Sequence, residues 1–308
     1  MEGIGLAYAA FQSALPSIDF LKLINHLSWS AKIEGRMNYI VPYDFTPITR
    51  TALDHALAIT ETAPGQIELL HIIEKESERS KAEAKFAELL AELDPQTREQ
   101  LSTKVRVGNI FEDISKEASE GNAQLLIMGT HGAKGLQRIM GSHAIKVITS
   151  AKTPFLVTQS KGPHKGIDTI VMPVDLAKER MQIVRFASQV AKRFESEVHL
   201  VCKPQEDEFL NKQLRNNIKL VRDQFKKENI SHRVVELPGK GPMQREAIEY
   251  GKEHQADLFA IGHFPDSMLP AFDRLTQELI TNEPQIPVLV INANEVTGVK
   301  PSYSFIGI

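Results

Sequence analysis

The sequence predicts an α/β fold built as two tandem domains, each a five-stranded parallel sheet with helices on both faces. Three observations predict it. Short apolar runs recur along the chain, bounded by Gly, Pro or Asp, as buried strands are. Between them lie segments with apolar residues at three- and four-residue steps, one face of a helix. The whole series then occurs twice. Strands that alternate with helices form parallel sheets covered on both faces.

The repeat carries most of the argument. Asn38-Tyr39-Ile40-Val41-Pro42-Tyr43-Asp44-Phe45 matches Thr169-Ile170-Val171-Met172-Pro173-Val174-Asp175-Leu176, with 131 residues between Pro42 and Pro173 and again between Asp44 and Asp175. The same spacing sets Ile67-Glu68-Leu69-Leu70-His71 over Val198-His199-Leu200-Val201-Cys202. A spacing of 133 sets Leu125-Leu126-Ile127-Met128-Gly129 over Leu258-Phe259-Ala260-Ile261-Gly262, and Thr153-Pro154-Phe155-Leu156-Val157 over Ile286-Pro287-Val288-Leu289-Val290. Among the helical patterns, Ile48, Ala52, Leu53, Ala56 and Leu57 share a face, as do Ile183, Phe186, Ala187, Val190, Ala191 and Phe194. Residues 74–101 read as one charged helix that buries Phe86, Leu89, Leu90 and Leu93 and breaks at Pro95. The domains fall at 37–160 and 167–292, joined by a linker at 161–166 rich in Gly, Pro and Lys, with a C-terminal tail at 293–308.

Residues 1–36 match nothing later in the chain. They end in Ile33-Glu34-Gly35-Arg36, the engineered cleavage sequence of factor Xa, so an expression tag is the simplest reading. The alternative is a native extension with a helix at about residues 18–28 that docks on a partner. Glu2 and the absence of a basic n-region argue against a signal peptide. The longest uncharged run there, residues 3–18, is shorter than the roughly 20 residues a membrane helix needs. The net charge of −3 comes from interspersed acids and bases, which argues against a nucleic-acid surface. The single cysteine, Cys202, permits no intrachain disulfide, so a reducing cytoplasm is expected.

Ligands of open parallel sheets bind beyond the carboxyl ends of the strands. In the first copy those ends carry Pro42 and Asp44, Met128 and Gly129, and the loop Thr130-His131-Gly132-Ala133-Lys134-Gly135-Leu136-Gln137-Arg138-Ile139-Met140-Gly141-Ser142 before a helical segment at 143–150. Glycines let backbone N–H groups approach a ligand, and a helix N-terminus favours phosphate. Ser142 adds a hydroxyl. Asp44 either bonds a ribose hydroxyl or a magnesium-bound water, or caps the following helix, and the two roles are compatible. His131 is read either as a phosphate donor or as a plain loop residue; Lys134 and Arg138 read as solvated surface. The second copy keeps Asp175 and Gly262 but has Pro265 in place of Gly132 and Arg274-Leu275 in place of Gly141-Ser142. Proline has no N–H, so this copy should not hold a nucleotide in the same way. No P-loop, dinucleotide fingerprint, His-Glu-x-x-His or paired-cysteine zinc motif occurs.

The pattern Gly-x2-Gly-x8-Gly-Ser after a buried strand, with Pro-x-Asp-Phe at the first strand, resembles the universal stress protein family over about residues 37–292. The resemblance implies a flavodoxin-like fold of the adenine nucleotide alpha-hydrolase type and ATP or a related adenine nucleotide as ligand, with magnesium carried on its phosphates. By position, Pro42, Asp44 and Ile72 would line the adenosine pocket. Met128 and Gly129 would cover its base and sugar side, and His131, Gly132, Gly141, Ser142 and His143 the phosphate path. One departure stands out: eight residues separate Gly132 from Gly141, where the family pattern has nine. The family also implies pairing of Phe155-Leu156-Val157 with Val288-Leu289-Val290 as an intrachain pseudo-dimer, which could itself pair into a homodimer. Three readings of function remain open: a nucleotide-binding regulator of stress responses with the second domain as structural partner, a slow ATPase at the first domain, and a nucleotide-free scaffold.

Overall fold

The computed structural model describes residues 37–121, 123–130, 153–263 and 274–292. The extension at 1–36, the tail, the loop and helical segment at 131–152, and Pro265 lie outside the described residues.

Among the described residues ten strands form one sheet: β1 (Met37–Pro42), β2 (Gly65–Ile73), β3 (Leu101–Val107), β4 (Leu125–Gly129), β5 (Phe155–Thr158), β6 (Thr169–Val174), β7 (Glu197–Cys202), β8 (His232–Glu236), β9 (Leu258–His263) and β10 (Val288–Asn292). Their order is β3-β2-β1-β4-β5-β10-β9-β6-β7-β8. Each half is therefore parallel and ordered third, second, first, fourth, fifth, the doubly wound pattern. The central strands have no solvated face. All six residues of β9 and all five of β10 are buried, which is why they read as unbroken apolar runs. The halves meet where β5 and β10 run antiparallel, with Val157 opposite Val288, Leu156 opposite Leu289 and Phe155 opposite Val290.

Eight described helices cover the sheet: α1 (Pro47–Thr62), α2 (Arg79–Glu92), α3 (Pro95–Glu99), α4 (Ile110–Glu120), α5 (Ile183–Phe194), α6 (Glu208–Lys227), α7 (Met243–Glu253) and α8 (Arg274–Ile280). Helices α1, α2, α5 and α6 pack on one face, where Ala52, Leu53, Phe86, Ala187, Leu214 and Phe225 meet Val41, Ile127, Leu156, Leu289 and Met172. On the other face, α4, α7 and α8 bring Ile114, Ala247 and Leu279 against Ile40, Leu126, Phe155, Val157, Val288 and Val290. Both apolar layers continue across the β5–β10 junction, so the halves share one core. The segment between them is held from both sides. His55 Nε2 lies 3.0 Å from the Lys161 carbonyl, Gln159 donates to the Asn282 carbonyl at 2.9 Å, and Ser160 donates to Gln285 at 2.8 Å.

The single helix expected at 74–101 is three elements and a strand start. A 3-10 turn covers Glu76–Glu78 and α2 begins at Arg79. The helix ends because Leu93 turns extended, at φ −90° and ψ 149°. Asp94 then caps α3 by accepting from the Thr97 N–H at 2.9 Å, so Pro95 opens a helix rather than merely ending one. Leu101 starts β3 and pairs with Ile67. Phe86 and Leu89 are buried as expected, while Leu90 and Leu93 are only half-buried. Strand β3 escapes the apolar-run criterion because it is an edge strand with no fully buried residue.

Candidate functional site

In the first half the chain winds from β1 to β3 on one side and then crosses to β4 on the other. The carboxyl ends of β1 and β4 thus flank the switch point of the sheet, where open α/β sheets bind ligands. Pro42 ends β1 and Gly129 ends β4. Ile72, near the end of β2, and Met128 are half-buried and pack on the same face of the sheet. They offer partly exposed apolar surface beside the crevice.

Asp44 is exposed and stands in the turn between β1 and α1. Its Oδ1 accepts from the Thr46 N–H at 3.0 Å, the Thr46 hydroxyl at 2.6 Å and the Thr49 hydroxyl at 2.9 Å. The carboxylate therefore does brace the start of α1, although the N-cap residue is Thr46. Oδ2 takes no partner among the described residues, so a second acceptor atom stays available. Both readings of Asp44 fit one geometry.

The turn that presents Asp44 is held by aromatic packing. Phe45 has φ 67°, a left-handed conformation that a bulky residue rarely adopts. Its ring lies 4.8 Å from that of Phe86, 4.9 Å from His71 and 5.4 Å edge-on from Tyr43, and the Lys85 ammonium sits 4.9 Å over it. His71 Nδ1 is 2.7 Å from the Tyr43 carbonyl, tying β2 to the same turn. Downstream, Thr46 precedes a proline and is extended at ψ 158°, and Pro47 opens α1. Backbone strain of this kind marks sites where the surroundings over-determine the conformation.

Gly129 serves packing first. A Cβ there would lie 2.5 Å from the Ile48 carbonyl oxygen, so only glycine lets the first turn of α1 approach the end of β4. The chain then leaves β4 at Thr130, whose N–H donates to Thr158 at 2.8 Å. The structure thus brings Pro42, Asp44, Ile72, Met128 and Gly129 to one edge of the sheet. His131, Gly132, Gly141, Ser142 and His143 lie outside the described residues, as do Lys134 and Arg138. Thr46, Thr49, Phe45 and His71 complete the described site and were not singled out from the sequence. Thr49 sits five residues after Asp44 and one helical turn after Thr46, a spacing that brings a hydroxyl back to the carboxylate. Among the described residues, no group of three or more His, Cys, Asp or Glu side chains could hold a metal ion.

The second half builds the same crevice and fills it. Asp175 follows β6 and Gly262 lies within β9, as Asp44 and Gly129 do for β1 and β4. Here Arg180 spans the gap: its Nε is 2.8 Å from Asp175 Oδ2 and its Nη1 donates to the Gly262 carbonyl at 3.2 Å. Its side chain is only 14% exposed. Ile261, at the position of Met128, is buried, and Lys203 takes the position of Ile72, with its ammonium 2.5 Å from Glu246. Leu275 is buried and Arg274 is paired with Glu278 at 2.8 Å.

Comparison with known proteins places this geometry. Residues 36–159 match the model of the universal stress protein family. Among solved structures, a universal stress protein from Archaeoglobus fulgidus DSM 4304 superposes with a TM-score of 0.61 at 18% identity, over 83% of this chain and 98% of that one. A putative universal stress protein from Pseudomonas aeruginosa UCBPP-PA14 gives 0.58 at 17% identity, over 84% and 94%. At these identities the likeness is one of fold, and it spans more of the chain than either half alone supplies. No curated protein matches the chain. None of the described helices is long and apolar enough to cross a membrane.

Proposed function

We propose, from the match of residues 36–159 to the universal stress protein family model, that the first crevice binds ATP or a related adenine nucleotide, and that occupancy is a signal in a stress response. One observation carries the reading. Among the described residues Asp44 is braced through Oδ1 alone, at the switch point of the sheet, which leaves its Oδ2 to accept from a ribose hydroxyl. Ile72 and Met128 would flank the base, with Pro42 and Gly129 beside it. His131, Gly132, Gly141, Ser142 and His143 would line the phosphates, whose magnesium would ride on the nucleotide.

In this reading the chain has two domains, 37–160 and 167–292, joined at 161–166. The second is a structural partner, and the antiparallel register of β5 and β10 supports an intrachain pseudo-dimer. A reducing compartment suits Cys202, a buried free thiol whose pKa burial pushes up to about 11, with Glu236 adding to the rise. A hydrolytic reading would need Asp44 or His131 as its base; Asp44 Oδ1 is committed to the turn, and His131 lies outside the described residues.

Isothermal titration of ATP against the parent chain, Asp44→Ala and Gly132→Pro tests the proposal. The parent should bind one ATP per chain and both variants should lose at least tenfold in affinity. Equal binding by all three would overturn the site assignment.

A further inference from the structure

We propose that Arg180 is an internal plug that closes the second crevice to a nucleoside. The inference deepens the proposed function, since it takes the first crevice as the pattern of an open nucleoside site. In the first half the residue 131 positions earlier is Thr49. Its short hydroxyl braces Asp44 Oδ1 at 2.9 Å and reaches no further. At the corresponding place Arg180 carries a fork of five N–H donors and no acceptor. Its guanidinium forms an ion pair with Asp175 on one wall, Nε lying 2.8 Å from Oδ2, and its Nη1 donates to the Gly262 carbonyl at 3.2 Å on the other. Those are acceptors on the two walls of the crevice that a nucleoside would address with its ribose hydroxyls and base N–H groups. A group made only of donors takes the place of a ligand whose donors matter there.

The backbone is rearranged to put it there. In the first half α1 starts at Pro47, and the carbonyl that crowds Gly129 is that of Ile48. In the second half the chain forms a 3-10 turn over Lys178–Gln182 and α5 starts only at Ile183. The backbone that crowds Gly262 is then that of Arg180, 2.4 Å from where a Cβ would stand. The contact has slipped one residue along the chain relative to the repeat. That slip places the arginine, rather than its predecessor, at the wall. At the phosphate end Leu275 is buried and Arg274 is turned to Glu278, so an unplugged crevice would take adenosine rather than ATP.

The test is the number of adenosine molecules bound per full-length chain, by equilibrium dialysis, in the parent and in Arg180→Thr and Arg180→Gln. Each variant should bind one more adenosine than the parent, while the number of ATP molecules bound stays unchanged. The reading is a difference between chains, so it holds whether or not the parent binds ATP; a parent that binds none overturns the function proposed above and leaves this count intact. No gain in either variant, with near-UV circular dichroism unchanged, overturns the plug. So does loss of folding in both variants, which would make Arg180 a strut of the core rather than a stopper. If Arg180→Thr alone fails to fold, the Arg180→Gln count decides.

Discussion

Phe45 offers a test in which backbone and side chain pull apart. Its ring touches Tyr43, His71 and Phe86, and its backbone sits at φ 67°. Phe45→Ala keeps the left-handed backbone and loses the ring. Truncating a buried Phe costs about 3–5 kcal/mol, and a half-buried one should fall at or below the lower end, roughly 2–3 kcal/mol. Phe45→Gly loses the same ring but also sheds the left-handed penalty of about 1–2 kcal/mol. Glycine gives back about 0.4–1 kcal/mol through its freer unfolded chain. The glycine variant should therefore be the more stable of the two by about 0.5–1 kcal/mol, against the usual ranking of the pair in regular structure. Urea unfolding followed by fluorescence and far-UV circular dichroism reads the difference as a shift in midpoint at constant slope. An alanine variant equal to or more stable than the glycine variant would refute the claim that packing forces this backbone. Both variants should also weaken ATP binding, because the turn that presents Asp44 loses its anchor.

Three further outcomes follow from the same geometry. Gly129→Ala drives a methyl to within 2.5 Å of the Ile48 carbonyl, so it should cost about 1–3 kcal/mol in unfolding experiments and reduce ATP affinity in titrations. Glu117 is buried; burial alone would raise its pKa, but hydrogen bonds from Lys104 and Arg106, the latter at 2.6 Å, outweigh this and hold it below the usual carboxylate range. A folded-state pKa below the unfolded one gives stability that is present above about pH 4.3 and lost as pH falls through the folded pKa. Glu117→Gln should thus cost about 1–3 kcal/mol at neutral pH, since Lys104 reaches solvent and Arg106 keeps Asp113, and should flatten the acid limb of a stability–pH profile. Glu195 ends α5 in a left-handed conformation at φ 56°, so Glu195→Gly sheds a penalty of about 1–2 kcal/mol against glycine's entropic cost of about 0.4–1 kcal/mol and should stabilise the chain by about 0.5–1 kcal/mol in thermal or urea unfolding.

The parallel strands were legible because burial on both faces leaves no polar alternation to read. β6, β9 and β10 appear in the sequence as unbroken apolar runs, and the duplicate checks each assignment. β3 was hidden for the opposite reason: as an edge strand it alternates Leu101, Val105 and Val107 with Ser102, Lys104 and Arg106, so no unbroken apolar run appears. Pro95 suits a helix stop and a helix start equally, and the Asp94 cap that decides for a start is visible only in the fold. At the crevice, Pro42, Asp44 and Gly129 were recognisable from type and position. The aromatic clamp was not, since Phe45, His71 and Phe86 come from three elements and only folding brings them together. The reason for Gly129 was half legible: close approach was expected, but the approaching group is the carbonyl of Ile48. Arg180 was overlooked because a lone arginine in a helix-like stretch carries no sequence signal. Only its two acceptors, Asp175 and Gly262, give it meaning.

The antiparallel junction of β5 and β10 also imposes an order of assembly. β5 is complete at Thr158, yet its partner strand begins only at Val288. While the chain is being made, the first half must wait through the whole synthesis of the second with Phe155-Leu156-Val157 at the rim of its sheet. An apolar rim of that kind pairs readily with strangers. Duplication within a single polypeptide shortens that interval to one round of translation and supplies the mate at high local concentration. The inert-looking second half would then act, during biogenesis, as a tethered guardian of the first.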